Sequence, residues 1–321
     1  MIQGEAVIDL KKYITKRLIS AALVLVGVSV LCFALIAVSG KDPAAAVAVS
    51  SGHSADSELA ESLREQWGLN KPLYIRYFIW IRGIFTGELG ASITTHNPIS
   101  YDLSLYFPST FALVGMGLLW LVVISFPVAL LCVKFHGGAF DHITRVLTIA
   151  GVCLPVFWLG YMLLLFLAVK IPLFTVVPKA GIGGYILPSF ALAFPSVCST
   201  VRIIRASVLK EMNSDYAVYA RTRGISEAGI ILRHALKNAL PPVITLLSQY
   251  LGYMLAGSAV VESVFSIKGI GSYLVSSVIG GDSAACASCI VIISAVFVLT
   301  NLAADIINRL LCPWVVREIN D

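Results

Sequence analysis

From Leu18 to Val38 the chain runs without a single charged side chain, and this limits the possible folds more than any other feature. At 1.5 Å per residue, a helix of this length crosses roughly 30 Å of hydrocarbon. The run exceeds the apolar core of a secretory signal, so it is read as a retained membrane helix. Similar stretches follow at 109–133, 146–169, 185–205, 241–261 and 286–309. Only 13% of residues are charged and 58% are hydrophobic, with mean hydropathy +0.88. A soluble domain carries roughly 25% charged residues, so a soluble core of this size is excluded.

The expected fold class is an all-α polytopic membrane protein with six transmembrane helices. A cytoplasmic segment 1–17 precedes the first span, and residues 39–108 form an extracytoplasmic helical subdomain. Within that subdomain Leu59, Leu63 and Trp67 recur at helical spacing. Tyr74–Ile84 reads as an amphipathic helix lying on the membrane face or packed on the first span. Residues 206–240 form a cytoplasmic hairpin, 262–285 an extracytoplasmic loop rich in glycine and serine, and 310–321 a cytoplasmic tail. Pro188 and Pro195 interrupt the fourth span, and Ser248, Gly252 and Ala256 give the fifth a small-residue stripe for helix packing.

Six spans put both termini on one side. That side holds fifteen lysine and arginine residues against eight on the other, and five of the eight fall in the long first loop. Basic loops stay in the cytoplasm, so both ends and the hairpin are expected there. The net charge of +5 fits membrane orientation and gives no reason to invoke nucleic acid.

The hairpin, Asp215 to Pro242, is a polar, basic island between apolar runs. Asn213, Ser214 and Asp215 supply oxygens where a helix can start. The helix passes through Ala217 and Ala220 and stops at Gly224, a residue type that adopts the left-handed closing conformation. Ser226 reads as the cap of a second helix, with Glu227 near its positive end and His234 and Lys237 at its negative end.

No catalytic constellation accompanies this arrangement. There is no Gly-x-x-x-x-Gly-Lys-Ser/Thr loop to cradle ATP phosphates. The histidines are scattered in loops, with only His136 and His142 sharing a short one. Cys286 and Cys289 head an apolar helix without neighbouring ligands, so no cofactor or metal is expected. The spans hold almost no ionisable residues, whereas an ion-coupled carrier keeps such groups at depth. That weighs against the alternative, a stand-alone secondary carrier. Energy for uphill transport would come from another subunit.

Tyr219-Ala220-Arg221-x-x-Gly224, followed by Leu232-Arg-His-Ala-Leu-x-Asn-Ala-Leu240, resembles the cytoplasmic loop of ABC importer permeases. The likeness is nearest to the dipeptide/oligopeptide/nickel branch. Trp67–Tyr74, Leu89–Ser92 with Pro98, Phe107–Thr110, Leu154–Gly160, Arg202–Ser207, and Glu262–Phe265 with Gly269 and Gly271 are similar to other family markers, in the same order. The long first loop is similar to that of the first of the two permeases in such systems. The chain departs from the pattern at Lys268, where proline is usual, and at Cys312, where an aspartate usually precedes the last proline.

This resemblance implies a type I importer permease in the bacterial inner membrane, a translocation subunit rather than an enzyme. Implied partners are a second homologous permease, two cytoplasmic ABC ATPase subunits and an extracytoplasmic solute-binding protein. The solute class would be peptides, nickel or a metal chelate. The first short helix would be the coupling helix seated in an ATPase cleft, with Asp215, Tyr216, Tyr219, Ala220, Arg221, Arg223, Gly224 and Ile225 at the contact. Ala220 and Gly224 would let its backbone approach the partner closely.

Overall fold

The computed structural model describes residues 2–38, 42–176 and 181–311. The tail from 312 onward, with Cys312, lies outside the described residues. Helices account for nearly all of the described chain, and no strand occurs there beyond one isolated bridge, Ala91 to Pro98. Five of these helices are long and apolar enough to cross a membrane, and six crossings result if one sharply bent pair counts as a single span.

The chain divides into two compact units. The first comprises residues 1–110 and 268–299. It begins with α1 (Ile2–Val38), followed by short α2 (Pro43–Ser50) and α3 (Glu58–Gln66). Asp42 and Ser57 accept from the first-turn N–H groups of Ala44 and Ala60, which have no partner within their helices. Arg64 of α3 reaches back to Asp42 at 2.7 Å, closing this corner. The amphipathic segment forms α4 (Leu73–Thr86). It packs on α1: the Tyr77 ring meets Phe33 edge-on at 5.4 Å, and the Tyr77 hydroxyl lies 2.8 Å from that of Ser29.

The same unit holds the start of α5 (Ile99–Lys134), then α12 (Ile270–Gly280) and most of α13 (Ser283–Leu311). The sequence makes 262–285 a loop, but Ile270, Tyr273 and Leu274 follow helical spacing, and the segment folds as α12. Its buried face joins Ile99, Leu103 and Cys289 in one apolar cluster. Asp282 then caps α13 and is fully buried. It accepts from Ala285 N (3.0 Å), Ser92 Oγ (2.6 Å) and Ile93 N (2.7 Å), which anchors the 89–98 loop. Asp102 does the same from the other side of that loop, accepting from Thr95 Oγ1 and Asn97 Nδ2.

The second unit, residues 111–267 with 300–321, holds the remainder of α5, then α6 (Ala139–Cys153), α7 (Val156–Leu164), α8 (Ile186–Met212), the hairpin and α11 (Leu236–Val264). The expected straight span at 146–169 is broken. Leu154 is extended (φ −75°, ψ 125°), and the helix pair bends by 103° there. Proline forces its predecessor out of the helical region, and Pro155 removes one backbone donor. α7 continues as a π-helical stretch, Leu165–Lys170.

Pro188 falls in the first turn of α8, where its missing N–H costs nothing. Pro195 alone is interior. α11 packs on α8, with Gly257 facing Leu192; Met254, Leu255, Ser258 and Val261 are buried, while Ser248 and Gly252 are half-buried and Ala256 is exposed. The most buried face of α11 is therefore not the small-residue stripe. Gly160 does provide a close approach: an added Cβ would stand 3.2 Å from Phe265 and Val264.

Candidate functional site

The hairpin hangs from the end of α8. That helix runs past residue 205 to Met212, then Asn213 and Ser214 turn the chain into α9 (Asp215–Thr222). Ser214 takes the N-cap position, yet its hydroxyl donates back to Glu211 O at 2.5 Å and leaves the α9 amides uncapped. Tyr216 donates to Glu211 Oε2 at 2.7 Å, tying α9 to the last turn of α8. Burial, and then the neighbouring Glu211 carboxylate, push the Tyr216 hydroxyl above its ordinary pKa.

Gly224 closes α9 as expected from the sequence. Its φ is +77°, and the two bonds of a Schellman motif are present: Ile225 N to Ala220 O (3.2 Å) and Gly224 N to Arg221 O (2.9 Å). Ser226 caps the next helix, α10 (Glu227–Ile230), accepting from Gly229 N at 3.3 Å. Arg221 clasps Glu227 across the glycine corner, Nε to Oε1 at 2.7 Å and Nη2 to Oε2 at 3.3 Å. The Arg223 guanidinium lies over the Tyr219 ring at 5.5 Å from its centroid.

The structure revises the second half of the hairpin. Its helix does not end at His234 and Lys237. A π-helical stretch, Ile231–Ala235, joins α10 directly to α11, and the column continues through Pro241 and Pro242. The whole helical stretch, Glu227–Val264, has 38 residues. At 1.5 Å per residue it is about 57 Å long, beyond the roughly 45 Å of bilayer plus headgroups. Part of it therefore extends beyond the apolar layer, and α10 runs into the span without a break in the helix.

All eight expected contact residues fall on this one corner, but not on one surface. Asp215, Tyr219, Arg221, Arg223, Gly224 and Ile225 are exposed, as are Val218 and Thr222. Tyr216 is half-buried, and Ala220 is buried with Ala217 against the chain's own body. The small side chain of Ala220 lets α9 sit close to its own neighbours, so the outward approach at this corner falls to Gly224.

Sequence reasoning did not find the brace above the hairpin. Asp141, in the first turn of α6 ahead of the apolar stretch, is completely buried. Arg205 of α8 grips it with Nε on Oδ1 at 2.5 Å and Nη2 on Oδ2 at 2.7 Å. Gly137 N donates at 3.1 Å, and Arg145 stands 3.6 Å away. The Arg205 guanidinium holds the Asp141 carboxyl well below the usual carboxylate range. Beside the pair opens a cavity of about 640 Å³, lined by Thr144, Arg145, Arg202, Arg205, Ser207 and Tyr250. The available signal was charge complementarity: Asp141 is the only acid between Lys134 and Arg145, and Arg205 follows an apolar run.

Residues 122–317 match the family model described as "Binding-protein-dependent transport system inner membrane component". The chain belongs to this family. Residues 10–113 match the corresponding N-terminal model. The chain is 31% identical over 301 residues to the glutathione transport system permease protein GsiC of Escherichia coli strain K12, covering 94% of this chain and 97% of that one. It is 32% identical, with the same coverage, to GsiC of Pectobacterium atrosepticum. Membership makes the chain a multi-pass inner-membrane permease subunit of an ABC importer, a transport component and not an enzyme.

Proposed function

We propose that this permease admits a peptide-class solute and that α9 is the helix through which ATPase closure reaches its spans. Glutathione, named for the relatives, is the first solute to test, with dipeptides, longer peptides and nickel chelates as the others. Both termini and the hairpin face the cytoplasm, where basic loops are retained. The working assembly pairs this chain with a second permease, two ATPase subunits and an extracytoplasmic binding protein.

The observation that carries this reading is the short path from α9, across the clasped Gly224 corner, into the continuous helix Glu227–Val264. A short helix with exposed Val218, Tyr219 and Arg223 is locked by the Arg221–Glu227 clasp to a helix that becomes a span without a break. A push on α9 is thus transmitted as a rigid-body displacement of α11. The tilt of a braced helix pair, rather than a flexible loop, would switch access from one side to the other.

The test is reconstitution with the second permease, the cognate ATPases and the binding protein in liposomes. ATP-dependent accumulation of glutathione or a dipeptide, together with a crosslink from Tyr219→Cys to an ATPase cleft, is the expected result. Accumulation by the permease alone under an ion gradient would overturn the reading.

A further inference from the structure

We infer that α4 lies sunk within the bilayer leaflet at the C-terminal end of α1, presenting Tyr74, Phe78 and Phe85 to lipid acyl chains. Its inner face docks on α1. Tyr77 and Trp80 touch Phe33, and Tyr77 reaches Ser29. Trp80 and Ile84 share an apolar cluster with Val28, Cys32 and Ile36 of α1 and Ala287, Ile290 and Val291 of α13.

Depth follows from counting along the two spans. The uncharged run of α1 ends at Val38, with Lys41 and Asp42 just beyond. Ser29 lies about 14 Å, and Phe33 about 8 Å, below that end. Counted from Ser283, where α13 begins, Ala287 and Val291 lie about 6 and 12 Å in. Both spans place the docked face of α4 between the headgroups and the midplane of a hydrocarbon layer roughly 30 Å thick.

α4 cannot cross. Its 14 residues span about 21 Å, the length of an interfacial or re-entrant segment. Both ends return to water on the same side. Gly68–Pro72 joins it to α3, whose Glu58, Glu61, Arg64 and Glu65 require solvent, and Gly87 leads to the loop held by Asp282 at the head of α13. The outward face, Tyr74, Phe78 and Phe85, is 66%, 67% and 85% exposed in the chain. Arg82 is exposed on the same side, and its stem is long enough to carry the guanidinium up to the phosphates. An apolar helix face at hydrocarbon depth, with a snorkelling cation, fits a lipid surface.

Nitroxide labels at Phe78→Cys and Phe85→Cys test this. The host is the full-length chain with its partner subunits in nanodiscs, its seven native cysteines replaced. Glu65→Cys on α3 gives the aqueous reference, and Tyr74→Cys substitutes if either aromatic replacement prevents assembly. Oxygen is expected to collide with labels 78 and 85 several-fold more often than a water-soluble nickel chelate does, with the order reversed at 65. Nickel access at 78 and 85 equal to that at 65 would place α4 in water and overturn the inference. Shielding from both reagents would overturn it too, because a protein surface would then cover this face. The readout is depth rather than transport, so it stands apart from the proposed solute and coupling.

Discussion

Arg205 and Asp141, 64 residues apart in sequence, meet through two parallel hydrogen bonds of 2.5 and 2.7 Å. The pair ties the first turn of α6 to α8 just before α8 turns into the hairpin. A bidentate guanidinium–carboxylate pair fixes orientation as well as distance. α8 is thereby held where the force entering at α9 would arrive.

Removing one partner should be worse than removing both. Asp141→Asn leaves Arg205 without its counter-charge, and breaking a buried pair costs about 3–5 kcal/mol. The lower end applies here, because the Arg205 side chain keeps 19% exposure. Thermal unfolding of the purified permease should show a large fall for Asp141→Asn and a smaller one for Asp141→Leu combined with Arg205→Met. A double variant as damaged as the single would argue that the pair contributes net stability beyond cancelling its own desolvation.

Asp282 makes a comparable prediction for the other unit. Its carboxylate accepts from Ser92 and Ile93, about 190 residues away, and from Ala285. Hydrogen bonds to a charged group contribute about 1.5–3 kcal/mol each. Asp282→Ala should therefore release the 89–98 loop, seen as faster amide exchange at Ile93 and Thr94. Ser92→Ala removes the hydroxyl donor and an acceptor of the Thr94 and Thr95 amides, but it leaves the Asp282–Ile93 bond, so it should give a smaller rise at Ile93. Unchanged exchange in Asp282→Ala would mean the apolar cluster around Ile99 holds the loop alone.

The parts of the fold that depend on neighbouring residues could be read directly. Ser226 caps its helix and Gly224 takes φ +77° as their residue types demand, because caps and corners are decided within a few residues. Where the sequence misled, a longer-range effect prevailed. His234 and Lys237 read as a helix end, yet the column continues through Pro241 and Pro242, where Val243, Met254 and Val261 are buried and α11 packs on α8. The glycines around α12 suggested a loop, but its apolar face had a cluster to join. Asp141–Arg205 and Asp282–Ser92 were missed because charge or polarity alone does not single out a partner 64 or 190 residues distant.

The Arg221–Glu227 clasp should matter for transmission more than for stability. Both side chains are well exposed, at 37% and 60%, and such a pair contributes about 0.2–1 kcal/mol. Glu227→Ala should leave the melting curve within about 1 kcal/mol of the parent while lowering solute taken up per ATP hydrolysed. Exchanging the charges, Arg221→Glu with Glu227→Arg, should recover much of that ratio. A ratio unchanged in Glu227→Ala would show that α9 transmits force without the clasp.

Gly224 separates the cost of the corner's own geometry from the demand of a partner. Nothing lies within 4 Å of the place a Cβ would occupy, so this chain has room for a side chain there. The left-handed backbone is what resists substitution, at about 1–2 kcal/mol for a residue with a Cβ. Gly224→Ala and Gly224→Glu should therefore pay nearly the same conformational cost and reach the membrane in similar amounts. If an ATPase cleft closes over this corner, alanine should retain most ATP-driven uptake and glutamate should abolish it. Equal uptake by the two variants would mean that the corner faces water throughout the cycle, and that the coupling surface lies elsewhere on α9.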